Sequence, residues 1–98
     1  MQFSVKVSNY QKNTMLNICD LELLGKKITQ DELHMDISES YYGKNLVEKE
    51  EAKSLLKNSS IINMVGKKIV SLSIELGIGA ENGIKTISDV PFLIVFKI

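Results

Sequence analysis

The chain has no tryptophan, no arginine, one cysteine, one histidine and one proline among its 98 residues. Each scarcity excludes something. A single thiol, Cys19, cannot form an intrachain disulfide, and without a signal-peptide pattern it leads to the expectation of a reducing cytoplasm. One Cys and one His, with neither a Cys-x-x-Cys nor a His-x-x-x-His spacing, fall short of the three or four ligands a zinc site needs, so no metal is expected, and no cofactor motif is present. All twelve positive residues are lysine. Arginine supplies the planar fork that reads guanine, and its absence argues against sequence-specific DNA reading. The longest uncharged runs, Asn58 to Gly66 and Val90 to Phe96, are far shorter than the ~18 apolar residues of a membrane span.

What is present describes a single globular domain over residues 1–98. Apolar residues make up 44% and charged residues 24%, enough to bury one core and too few residues to build two. Twelve acids balance the twelve lysines. The average hides a division, because Asp20 to Glu51 holds nine acids against four lysines, a local balance of −5. A neutral protein cannot be held mainly by nucleic-acid phosphates, although a few lysine contacts to an RNA backbone remain open to it.

The pattern of side chains predicts an α+β fold. Gln2 to Ser8 alternates, with Phe3, Val5 and Val7 on one face, and Asn9 to Asn13 turns the chain into a second strand over Thr14 to Cys19. Asp20 is placed to cap a short turn through Leu24, closed by Gly25. A second hairpin follows, Lys27–Thr29 into Leu33–Ile37, with Leu33, Met35 and Ile37 inward. Ser38 to Asn45 has turn residues without a period and reads as a loop. Two consecutive helices are expected at about 47–58 and 60–76. The first has Glu48, Glu50 and Glu51 at its start and Lys53 and Lys57 toward its end. The second rests on Ile61, Val65, Ile69, Leu72 and Leu76 at steps of four, four, three and four, with Gly66 in its middle as a close-packing position. Strands at Ile84–Ile87 and Phe92–Ile98 complete a mainly antiparallel sheet, Pro91 sitting at the start of the last one. Phe92 to Phe96 is apolar on both faces, which predicts a central strand covered on both sides.

Candidate chemistry is sparse. Tyr41-Tyr42-Gly43-Lys44 places two aromatic rings and a cation together, suited to stacking on a base or entering a partner's pocket. Lys26-Lys27 and Lys67-Lys68 each follow a glycine and are positioned to meet phosphate. Cys19 with Asp20 and His34 could instead form a small catalytic group, the thiol as nucleophile and the imidazole as base. A third alternative is a homodimer pairing through edge strands at Gln2–Ser8 or Ile84–Ile87.

Cys19-Asp20 leading into Leu23-Leu24-Gly25-Lys26, then Ser40-Tyr41-Tyr42-Gly43, Asn63-Met64-Val65-Gly66-Lys67 and Val90-Pro91 together resemble the archaeal domain-of-unknown-function-424 family over nearly the whole chain. The resemblance implies a small cytoplasmic protein associated with translation, since the family's genes tend to lie beside those of initiation-factor subunits. It brings no catalytic residue. The family pattern has a histidine after the proline, where this chain has Phe92. A non-enzymatic accessory protein binding the ribosome, through rRNA or a ribosomal protein, or an initiation factor is therefore the expected function. Lys26, Lys27, Tyr41, Tyr42, Lys44, Asn63, Lys67 and Lys68 are its candidate contact residues.

Overall fold

A computed structural model describes residues 1–43 and 45–97. β1 (Gln2–Tyr10) and β2 (Asn13–Asp20) form the expected hairpin, turning on Gln11 and Lys12, both with positive φ. β3 (Lys27–Gln30) and β4 (Leu33–Asp36) make the second hairpin, and α1 (Glu39–Tyr42) is one helical turn inside the segment read as a loop. Ser38 begins α1, its hydroxyl accepting the Tyr41 N–H. β5 (Asn45–Glu48) precedes α2 (Lys49–Asn58). β6 (Ile61–Val65), α3 (Lys67–Glu75), β7 (Lys85–Ile87) and β8 (Val90–Phe96) follow.

The α+β class holds, with one large correction. The helix expected over 60–76 is a strand, Gly66, and a shorter helix. The four-residue spacing of Ile61, Val65 and Ile69 fits a helical stripe by coincidence, while Ile61–Val65 is a β-branched-rich run that the sheet claims as an interior strand. The helix expected from 47 likewise begins at Lys49, its first residues belonging to β5.

The main sheet has the order β5-β1-β2-β6-β8-β7. β2 and β6 run parallel and every other neighbouring pair antiparallel. One face carries α2 and α3 over the main core, which includes Phe3, Val5, Leu16, Ile18, Ile62, Met64 and Leu93 from the sheet and Ala52, Leu56, Ile69 and Leu72 from the helices. The opposite face carries the β3–β4 hairpin and α1 over a second core of Cys19, Val65, Ile28, Ile37, Tyr42 and Ile87. Ser88, in the β7–β8 turn, ties that hairpin down through its N–H to the Gln30 side chain at 2.7 Å and its hydroxyl to the Thr29 carbonyl. Leu33, expected inward, is exposed at the hairpin tip.

The second layer is incomplete. Side chains alternate across a pleated sheet, so strand register sorts this face into rows. One row, Ser4–Cys19–Val65–Phe92, lies under the hairpin and α1. The next two, Lys6–Asn17–Asn63–Ile94 and Ser8–Met15–Ile61–Phe96, lie at and beyond its border. Ile94 is 51% exposed and Phe96 63%, so the last apolar strand is covered on one side only from Ile94 onward.

Candidate functional site

Polar groups hold the border of the open half in place. Asn17 and Asn63 face each other on parallel neighbours, the Asn63 amide donating to Asn17 Oδ1 at 2.7 Å. Asn17 Nδ2 in turn donates to the Tyr41 carbonyl at 3.0 Å, and Lys6 Nζ to the Ser40 carbonyl at 2.8 Å. Ser4, fully buried, donates to the carbonyls of Tyr42 and Gly43 at 3.0 and 2.9 Å. Ser4, Lys6 and Asn17 each project from the sheet to a backbone carbonyl of α1 or the residue after it, and Asn63 braces Asn17. The single turn of α1, too short to persist alone, is thereby fixed on the sheet.

Tyr42 drops into the second core and Tyr41 stands outside, 49% exposed, its ring edge-on to Tyr42 with centroids 5.1 Å apart. Burial pushes the Tyr42 phenol above its ordinary range. Tyr41 and Asn63 then line a groove of about 180 Å³ with Met35, Val65, Phe92 and Ile94. Asn63 is the one amide in a lining otherwise made of aliphatic and aromatic residues. Of the eight contact candidates, the structure brings Tyr41 and Asn63 together here and places Tyr42 beneath them. Lys44 lies outside the described residues. Ile94, Phe96 and Asn17 belong to the same surface and were not singled out from the sequence.

The lysine candidates lie elsewhere. Lys26 and Lys27 are exposed at the start of the β3–β4 hairpin. Lys67 and Lys68 open α3, where Asp20, at the carboxyl end of β2, has taken the position an anion would need. Its carboxylate accepts the N–H of Lys68 at 3.0 Å and of Ile69 at 2.9 Å. Asp20 therefore caps a helix 48 residues away in sequence and makes no side-chain bond to its own following turn, contrary to the local cap expected. Lys68 is engaged as well, its ammonium 2.9 Å from Glu22. That bond holds the Glu22 carboxyl below its ordinary range. These groups line a second pocket of about 210 Å³ with Lys67, Asp89 and Pro91.

Burial raises the Asp20 carboxyl above its ordinary 3.8, with the two N–H donors pulling it back. The folded state therefore retains a proton that the unfolded state has released. Stability should fall as pH rises from 3.8 through the higher folded-state value and level off beyond it. Urea titrations across that range should show this segment of the slope lost in Asp20→Asn.

Cys19 and His34 do not share one accessible surface. Cys19 is fully buried, and burial, with the charge of Asp20, pushes its thiol up to about 12. His34 is exposed on β4 and alternates with Met35, the neighbour that packs toward Cys19's core, so its ring points away. Cys19 should be inert to a thiol-specific disulfide reagent in the native protein and react fully in denaturant; rapid native reaction would contradict its placement. Among the described residues no three His, Cys, Asp or Glu side chains group as metal ligands, and no helix is long and apolar enough to cross a membrane.

The model of a family described as "Protein of unknown function (DUF424)" matches residues 8–98. The chain is similar in structure to an uncharacterized conserved protein from Methanopyrus kandleri, with a TM-score of 0.83 over 100% of this chain and 93% of that one, at 20% identity. At that identity the likeness shows the fold. No curated protein matches the chain.

Proposed function

Because the chain belongs to the DUF424 family, whose description assigns no activity, its function is to be read from its surfaces, and we propose that it is a non-enzymatic accessory protein of the translation apparatus. It docks a protein component, an initiation factor or a ribosomal protein, through the open half of the sheet. The translation setting comes from the family resemblance. The mode of docking rests on one observation: an apolar groove bordered by a fixed tyrosine, in a surface where Tyr41, Ile94 and Phe96 are all exposed.

Exposed aromatic and aliphatic side chains around a shallow pocket suit an apolar anchor from a protein partner. Charge favours the same choice over RNA. The net charge is zero, there is no arginine, and the dilysine at α3 has Lys68 held by Glu22. Phosphate-led binding would need a larger uncommitted set of cations.

Sedimentation of the tagged protein from a native lysate of its source through sucrose gradients tests this reading. Co-migration with ribosomal subunits or an initiation-factor complex, retained as salt is raised, is expected. Migration only at the top of a low-salt gradient would overturn it, and co-migration lost steeply with salt would assign the contact to RNA backbone instead.

A further inference from the structure

The open face ends at an open edge. β7 pairs with β8 only from Val90 to Phe92, opposite Ile87 to Lys85, although β8 continues to Phe96. The hydrogen bonds at the two ends of the β6–β8 ladder fix the phase of β8. The Gly66 N–H donates to the Pro91 carbonyl at 2.9 Å and the Lys97 N–H to the Ser60 carbonyl at 2.7 Å. Odd-numbered residues thus turn their backbone groups toward β6, and Phe92, Ile94 and Phe96 turn theirs away. Phe92 meets Lys85 of β7. The outward N–H and C=O of Ile94 and Phe96 meet no strand among the described residues.

We propose that this edge is a self-association site, at which a second copy of the chain adds its β8 antiparallel to the first about a two-fold axis through Val95. The register is self-complementary. Ile94 of each copy lies opposite Phe96 of the other, and each such pair exchanges both N–H···O bonds. The same pairing sets the two exposed apolar side chains side by side on the open face. Val90 to Phe96 is itself uncharged, its one proline lies in the half β7 already covers, and Lys97, which follows it, turns its ammonium back to the Leu56 and Lys57 carbonyls of α2. Other edges of the main sheet carry charge: β5 has Glu48, β7 has Lys85, and β1 beyond its pairing with β5 has Lys6. With zero net charge, two copies meet without long-range repulsion. The shared surface is a short ladder and two side chains per copy, below the ~800 Å² per partner of a stable dimer, so association depends on concentration.

This inference is independent of the docking reading and is tested on purified protein alone. Sedimentation equilibrium over a dilution series should show the weight-average mass rising from monomer toward dimer, with a midpoint on the order of 0.1 mM as befits so small an interface. Phe96→Pro removes an outward N–H that makes no bond within the chain, so the fold should survive while the dimer fraction falls at least tenfold, circular dichroism confirming the fold. Val95→Cys provides a second route that keeps the backbone whole. Across the axis Val95 faces its own copy in a non-hydrogen-bonded pair, about 4.5 Å between Cα atoms, within disulfide range. Mild oxidation should link this variant into dimers and leave a Thr86→Cys control monomeric. A monomer mass throughout the series, a dimer undiminished in folded Phe96→Pro, or equal cross-linking of the two cysteine variants would overturn the proposal.

Discussion

Gly66→Ala should lower the unfolding free energy by about 3–5 kcal/mol, the largest effect expected of any single-methyl addition in this chain. Gly66 sits between β6 and α3 with φ 123° and ψ 151°, a region essentially closed to residues with a Cβ, at a cost of about 1–3 kcal/mol. The added carbon would also lie against the Asp20 carboxylate, 2.7 Å from Oδ1 and closer still to Cγ. Asp20 would have to leave the N–H groups of Lys68 and Ile69. An unsatisfied buried donor costs about 1–3 kcal/mol, and Ile69 is fully buried. In a domain of this size the sum corresponds to a fall in Tm of roughly 15–30 °C. Thermal and urea unfolding would measure it, with Lys67→Ala as a neighbouring control expected within about 0.5 kcal/mol of the parent. A Gly66→Ala protein as stable as the parent would show that the Asp20 cap does not hold β2, β6 and α3 together.

Gly43→Ala should cost about 2–4 kcal/mol and, unlike Gly66→Ala, should act on the docking face. Gly43 has φ 76° where the chain leaves α1 for β5. A Cβ there would run into the Val5 carbonyl, 2.8 Å from its carbon, and a strand backbone cannot rotate aside as a side chain can. Relief requires lifting the chain from β1, which breaks the Ser4 bonds to Tyr42 and Gly43 and moves Tyr41 off the groove. Amide exchange should therefore quicken in Asn45–Glu48 and Glu39–Tyr42 while remaining slow in β2 and β6. Uniformly faster exchange would mean that α1 is not a separately secured element.

The sequence made the β1–β2 hairpin legible because Phe3, Val5, Leu16 and Ile18 alternate without interruption and their strands are adjacent in the chain. β6 was illegible for a definite reason. Ile61 and Val65 carry the spacing of a helix, and what decides the matter is the sheet on either side of them, contributed by β2 and β8 from distant parts of the chain. Gly66 held the usable signal, since a glycine after a β-branched-rich run marks the end of a strand more economically than a costly break inside a helix. The Asp20 cap is likewise non-local, its donors lying 48 and 49 residues away.

The candidate site was legible in part. Adjacent tyrosines announced a feature, but which of them faces outward depends on the sheet beneath α1. A strand apolar on both faces predicts Ile94 and Phe96 as interior. Alternation records how apolar a strand is and carries no information on whether a second layer extends over it. Here the β3–β4 hairpin and α1 stop short of Ile94 and Phe96.

The docking account is tested most directly by site-specific photocrosslinking in a native lysate, with the crosslinking residue at position 41 on the open face or at position 71 on exposed α3. The account predicts that position 41 links to an initiation factor or ribosomal protein and that position 71 links to neither. Links from position 71 alone, or links from position 41 to RNA only, would contradict it.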